Sequence, residues 1–235
     1  MPNDTSPDWE QVLSAAARLQ GIVPGTVLVG GTATAWYAGH RFSRDADHVL
    51  GDLRRRFDAV LEDLESVAGW RTTRVQRPVL ILGSLDGIET GVRQLIREQP
   101  LETLRVEYRG QALTVPTPAE ILRIKGVLIL KRNATRDYLD FVALTDQMGA
   151  EEVVAALQGF DRLYPQPNGE SALLQLQIQL AHPQPYDREE THLAEYQNLD
   201  PKWHEWETVT MVCAGCATLI FDRIVGVDDG RCEAG

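Results

Sequence analysis

The sequence predicts an α+β protein, with an α/β N-terminal half and an all-helical C-terminal half dividing near Pro116. Three observations carry that expectation. Short apolar runs and alternating patterns recur up to Val115, as strands require. Pro116-Thr117-Pro118 then punctuates the chain. Beyond it, apolar residues recur at helical spacing. Two domains are expected, residues 1–115 and 116–235.

From Asp8 to Leu19, Trp9, Val12, Leu13, Ala16 and Leu19 share a helical face, with Ser6 or Asp8 as N-cap. Pro24-Gly25 ends that helix, and Val27-Leu28-Val29 reads as a short buried strand. Gly30-Gly31 turns the chain into a helix over Thr32–Ala38; His40–Ser43 loops to a strand around Asp45–Leu50. Asp52–Val67 is amphipathic, with Leu53, Phe57, Val60, Leu61 and Leu64 on one side. Strands follow at Thr72–Val75, Val79–Leu82, Ile88–Val92, Leu104–Tyr108 and Ala112–Val115, and Leu85-Asp86-Gly87-Ile88 supplies a hairpin turn. Helices are expected at Ala119–Leu130, Thr135–Met148, Glu151–Leu157, Glu170–Leu180 and Lys202–Ile224. Trp203 and Trp206 on the last read as core residues.

The 235 residues are 43% hydrophobic and 24% charged, an ordinary globular composition with enough chain for a sizeable core. No apolar run approaches a membrane span, and acidic Met1–Glu10 lacks the regions of a secretory signal. A cytoplasmic location with no membrane partner is therefore expected. Cys213, Cys216 and Cys232 are an odd set that does not suggest a disulfide framework. Cys213-Ala-Gly-Cys216 has zinc-like spacing with His204 upstream, but one such pair reads as reduced cysteines on a helix.

A net charge of −11 argues against indiscriminate nucleic-acid binding. Its distribution says more. Residues 1–70 hold 6 Lys/Arg against 10 Asp/Glu, residues 71–140 hold 12 against 8, and residues 141–235 hold 5 against 16. The net-positive segment is where a triphosphate or RNA end would find counter-charge, though a solvated face gives the same count.

The stretch Gly30–Asp47, GGTATAWYAGHRFSRDAD, carries the chemistry. If Asp45-x-Asp47 lies on a strand, both carboxylates share one face, as a hard cation holding substrate phosphates needs. Gly30 and Gly31 let backbone amides approach a phosphate chain at a helix start. Nucleotidyl transfer with Mg²⁺ and an NTP substrate is the resulting expectation. Glu89, on a strand with small neighbours, is the expected third metal ligand, with Asp86 and Glu107 as rivals.

A second constellation spans Ile121–Phe141. Lys125 sits in an apolar helix, where an unpaired cation is costly, and is expected to contact a triphosphate as a point charge. Asp137 and Asp140, near one turn apart, could orient Lys125 or Arg136 or act as a base. A salt-bridged helix pair would look the same. His48, His182, His192 and His204 lack partners at catalytic spacing, and His40 reads as a loop residue.

Gly30-Gly31-Thr32-Ala33 with Arg41-Phe42-Ser43-Arg44-Asp45-Ala46-Asp47 resembles the first motif of the AbiEii-type nucleotidyltransferase toxins, within the DNA polymerase β-like nucleotidyltransferase superfamily. Lys125, Lys131, Arg136, Asp137, Tyr138 and Asp140 resemble that family's downstream helices, so the likeness covers about Val27–Leu144. It implies a polymerase β-like α/β domain with a mixed sheet, a Mg²⁺- and NTP-dependent transferase, and often the toxin of a toxin–antitoxin or phage-defence pair. In some relatives the acceptor is the tRNA 3′ end, so RNA and a cognate antitoxin are implied partners. Asp45, Asp47 and Glu89 would hold metal; Gly30, Gly31, Thr32, Arg41, Ser43, Lys125 and Arg136 would hold nucleotide, with Asp137 catalytic. Gly30-Gly31-Thr32 replaces the superfamily's usual Gly-Ser, with Thr32 able to stand in as hydroxyl donor. The acidic C-terminal region is unhelpful for tRNA and weakens the acceptor assignment more than the reaction. The competing reading is a non-catalytic module that senses nucleotide or binds a partner.

Overall fold

A computed structural model of the protein describes residues 8–196 and 198–225. Ser6, one of the two expected caps, and Cys232 lie outside the described residues. The chain divides into two units. One comprises the described residues up to Trp36 and Phe42–Thr117; the other comprises Tyr37–Arg41 and the described residues from Pro118 onward. The boundary thus falls two residues beyond the expected one, and the segment 37–41 groups with the helical unit.

The first unit begins with α1 (Trp9–Ile22), which Asp8 caps by accepting from the Gln11 amide at 2.8 Å while Gln11 returns a side-chain bond to the Asp8 amide. Strand β1 (Val27–Leu28) leads into helix α2 (Gly30–Ala38). Strand β2 (Asp45–Leu50), helix α3 (Leu53–Glu65) and strands β3 (Trp70–Gln76), β4 (Leu80–Leu85) and β5 (Ile88–Gln94) follow. The sheet order is β1-β2-β5-β4-β3; β2 and β5 run parallel and every other pair antiparallel, so the sheet is mixed.

One face of this sheet is the core. Leu50, Ile81, Leu85 and Val92 pack there with Leu19 of α1 and Leu53, Phe57, Val60 and Leu64 of α3. The apolar stripe read on α3 is the buried one. Because side chains alternate along strands, the opposite face carries Asp45, Asp47, Glu89, Gly91 and Arg93. Strands β6 (Thr103–Tyr108) and β7 (Gln111–Pro116) form a separate two-stranded sheet, a split that local alternation does not reveal.

The second unit is helical: α4 (Pro118–Arg132), α5 (Thr135–Gln147), α6 (Ala150–Leu157), α7 (Phe160–Leu163), α8 (Ala172–Ala181) and α9 (Trp206–Ile220). The last helix starts later than expected because Pro201–Trp203 winds as a 3₁₀ turn. Trp203 is buried and Trp206 meets Tyr138 edge-on at 6.0 Å, so both are packing residues. A π-helical turn, Phe221–Val225, extends α9. The segment Trp206–Val225 has 20 residues and mean hydropathy 1.6, long and apolar enough to cross a membrane. That corrects the reading that no apolar run approaches a span: no charged residue stands between Glu207 and Asp222, and interspersed threonines and glycine masked the run. Val209, Cys213, Cys216 and Ile220 of this segment are buried within the unit.

Candidate active site

Strand β2 places the carboxylates. Ala46, His48 and Leu50 point into the core, while Asp45, Asp47 and Val49 are half-buried on the other face. Ser43 donates its hydroxyl to Asp45 Oδ1 at 2.6 Å, which fixes that carboxylate. Gly30 opens α2 with φ +76°, a left-handed conformation that favours glycine. A Cβ there would stand 3.5 Å from both Cβ and Oδ2 of Asp47. Helix α2 therefore begins against the second carboxylate, and first-turn amides have no intrahelical acceptor. Thr32 donates its hydroxyl to the Asp45 carbonyl oxygen, so its hydroxyl braces β2 instead of facing a phosphate. The donors this turn can offer are the backbone amides at Gly30 and Gly31.

The parallel register sets Glu89 of β5 beside Asp45, and Glu89 is exposed. Its rivals are placed elsewhere. Asp86 pairs with Arg18, and Glu107 lies on the β6–β7 hairpin. Among the described residues no three His, Cys, Asp or Glu groups cluster as a metal site. The preformed part is the Asp45/Asp47 pair, which suits Mg²⁺: that ion uses one or two carboxylates and completes its shell with water and substrate phosphates. Arg93, four residues after Glu89 on the same strand face, reaches Asp47 with Nε at 3.7 Å. Alternation 89/91/93 was the signal for it. Gly91 itself serves packing, since a Cβ would drive into the Ile81 carbonyl and the Leu82 side chain.

The second unit gathers the remaining charged residues around Asp140, which is wholly buried. Arg41 donates to it through two nitrogens, Nε at 2.7 Å and Nη2 at 3.0 Å. Lys125 Nζ lies 2.6 Å from Asp140 Oδ2 and 3.2 Å from Asp137 Oδ1. His40 Nε2 contacts Asp140 Oδ1 at 2.8 Å. An ionised carboxylate can only accept, so Nε2 carries the proton. Burial alone would raise the Asp140 pKa; the Arg41 and Lys125 charges and the His40 bond outweigh it and hold the carboxyl well below its ordinary range. Lys125 is thus a buried cation paired with both Asp137 and Asp140. Arg136 is exposed and makes no ion pair among the described residues. His40 is no plain loop residue; its place beside Arg41 in the chain was the only hint.

Cys213 and Cys216 are free and buried on α9. Burial pushes both thiols up, Cys213 furthest, so neither is a ready thiolate ligand.

No family model matches the chain. Two solved structures share the fold across it: a candidate nucleotidyltransferase of H. pylori (TM-score 0.57, 14% identity, covering 96% of this chain and 98% of that one) and H. pylori JHP933 (TM-score 0.53, 14%, 97% and 97%). The fold is therefore that of nucleotidyltransferase-like proteins. Among curated proteins, the heme uptake protein MmpL11 of Mycobacterium tuberculosis is 38% identical over 130 residues, 54% of this chain. The mycolic acid-containing lipids exporter MmpL11 of Mycolicibacterium smegmatis is 28% identical over 219 residues, 92% of it. The chain spans only 13% and 22% of those relatives' lengths.

Proposed function

We propose that the protein transfers a nucleoside monophosphate from an NTP to a hydroxyl acceptor. The observation that carries this reading is the Asp45/Asp47 pair on one sheet face, against the glycine start of α2. The acceptor oxygen attacks the α-phosphorus, the bond from that phosphorus to the bridging oxygen breaks, pyrophosphate leaves, and the hydroxyl proton passes to water. Ser43 fixes Asp45, and the Gly30-Gly31 amides at the helix start hold phosphate oxygens. Mg²⁺, held by Asp45 and Asp47 with Glu89 as third ligand, would supply Lewis-acid charge to the phosphoryl oxygens. Lys125, Arg41, Arg136 and Asp137 belong to the same proposal as residues whose loss reduces turnover. The resemblance in the first motif extends it to a toxin of a toxin–antitoxin or phage-defence pair, with the tRNA 3′ end as acceptor and the cytoplasm as location.

A second reading, a nucleotide-sensing module without turnover, is favoured by one observation. Lys125 and the Thr32 hydroxyl, both expected to hold phosphate, are engaged inside the fold. The test incubates the protein with Mg²⁺, each α-³²P-labelled NTP and total RNA, beside an Asp45→Ala/Asp47→Ala variant. Label on RNA with the wild type only supports transfer. NTP binding without label anywhere supports the sensing module.

A further inference from the structure

An edge strand offers unpaired amides and carbonyls to another chain, and the two sheets end in β1, β3, β6 and β7. Three of these edges are blunted. β1 has only two residues, and β3 carries a register shift between Thr72 and Arg74. The outer edge of β7 is taken by Gln20, whose side chain donates to the Thr114 carbonyl at 2.9 Å and accepts from the Thr114 amide at 2.7 Å. β6 differs. It pairs with β7 without a break from Thr103 to Tyr108, and Thr103, Leu104, Arg105 and Glu107 are exposed.

The turn fixes which backbone groups of β6 face out. Arg109 and Gly110 both have positive φ, +48° and +76°, as a tight two-residue hairpin requires. In such a hairpin the flanking pair, Tyr108 with Gln111, exchanges both hydrogen bonds, and every second pair does the same. Tyr108, Val106 and Leu104 therefore bond to β7, in phase with the Glu102 carbonyl, which accepts from the Thr117 amide at 2.9 Å. The amides and carbonyls of Thr103, Arg105 and Glu107 point away from β7 and make no other backbone hydrogen bond among the described residues. Side chains alternate in step: Leu104, Val106 and Tyr108 share one face, Arg105 and Glu107 the other. Neither Arg105 nor Glu107 makes an ion pair among the described residues.

Charge selects the occupant and its register. An antiparallel second copy must set outward groups against outward groups, so odd-numbered residues meet odd-numbered ones. One such register places Arg105 opposite Arg105, and another places Glu107 opposite Glu107; like charges directly opposite are destabilising. The register between them sets each Arg105 opposite Glu107 of the second copy. It puts Val106 opposite itself on a two-fold axis and covers Leu104, 47% exposed, with Tyr108.

We infer that β6 is a homodimer interface, joined in this register into a four-stranded sheet β7-β6-β6-β7. The strand is self-complementary in backbone, charge and apolar face at once. This does not depend on the transferase reading. A contact of one edge strand is small beside the ~1,600 Å² of a standard interface, so the dimer dissociates on dilution.

Sedimentation equilibrium from about 10 µM to about 1 mM protein tests it. Arg105→Glu and Glu107→Arg each set like charges in both symmetry-related pairs and should weaken association ~10-fold or more. The exchange Arg105→Glu/Glu107→Arg restores opposite charges and should associate as wild type does. An equimolar mixture of the two single variants should form a mixed dimer. Wild type that stays monomeric throughout overturns the inference. So do single variants that associate like wild type, or an exchange variant as weak as either of them.

A cross-link tests the register without relying on charge. Cys213 and Cys216 are buried, so a Cys232→Ser background suits it. The axis sets the two Val106 Cα atoms ~4.5 Å apart as a non-hydrogen-bonded pair, within disulfide reach. Val106→Cys should therefore oxidise to a covalent dimer. Leu104→Cys, ~13 Å from its counterpart along the strand, should not. A dimer that Val106→Cys fails to trap, or that Leu104→Cys traps equally well, refutes the β6 register.

Discussion

Replacing Asp140 by Asn removes one negative charge and almost no volume, which isolates the electrostatics of the buried cluster. In the native protein Asp140 accepts from two nitrogens of Arg41, from Lys125 and from His40, with no solvent contact. Asparagine keeps one accepting oxygen and turns an amide donor toward a ring of donors. Lys125 then keeps Asp137 as its one anionic partner among the described residues, and Arg41 loses the carboxylate it donates to. Uncompensated charge of this kind costs about 3–5 kcal/mol when one partner of a buried pair is lost. For a chain of this size that is about 10 °C in melting temperature, if unfolding is cooperative. Urea denaturation at pH 7, read by circular dichroism, measures it. A loss under 1 kcal/mol would refute the reasoning, because it would mean water reaches Arg41 and Lys125. The pH dependence gives an independent check. Asp140 has its folded pKa depressed, so its contribution is present above the ordinary carboxylate range and disappears as pH falls through that range toward the folded value. Asp140→Asn should therefore flatten the acid limb of the stability curve.

Three further outcomes follow from particular residues. His48 is fully buried; burial lowers its pKa from 6.5 to about 4, nearby carbonyls of Ala46, Ala16 and Gly91 raise it only weakly, and neither ring nitrogen makes a proper hydrogen bond. The unfolded chain then takes up the proton first, so stability should fall by ~3 kcal/mol between pH 6.5 and 4, and His48→Gln should remove that part of the slope in denaturant titrations. Gly30→Ala forces a side chain into a left-handed conformation at ~1–2 kcal/mol and puts a methyl group over Asp47; calorimetry should show weaker Mg²⁺–NTP binding, and unchanged affinity would argue against phosphates at this turn. In a Cys232→Ser background, Cys213 and Cys216 should react with a disulfide reagent only as fast as the protein unfolds, and labelling within seconds would contradict their burial.

How far the sequence could be read depended on the range of the signal. Alternation at Ile88–Val92 and the heptad-like stripe of α3 are local, and both elements form as their patterns require. The same patterns say nothing about pairing. That β2 lies parallel to β5, which sets Glu89 beside Asp45, depends on contacts more than forty residues apart. The split of β6 and β7 into their own sheet is equally invisible locally. Asp45 and Asp47 were legible because a period of two settles their common face. Lys125 was legible as a cation costly to bury alone, and Asp137 and Asp140 as groups able to orient it or Arg136; that both carboxylates meet Lys125 and not Arg136 was not legible. Nor were His40 and Arg41, since they meet Asp140 across about a hundred residues of chain.

That last contact bears on the role proposed for Lys125 and Arg41. A point charge that grips a triphosphate must give up its other partners as the nucleotide arrives, and here those partners are buried carboxylates at hydrogen-bond distance. Exchanging one desolvated partner for another gains little unless the cluster itself rearranges. A positioning role is therefore cheaper, because Lys125 then keeps Asp137 and Asp140, and Arg41 keeps Asp140, as partners. The two roles separate in kinetics. Lys125→Met should change NTP affinity strongly if the ammonium touches phosphate. If it only holds Asp140 and Asp137 in place, the loss should appear chiefly as stability, and Lys125→Arg should not rescue it, because a planar fork does not fit a pocket shaped around a compact ammonium.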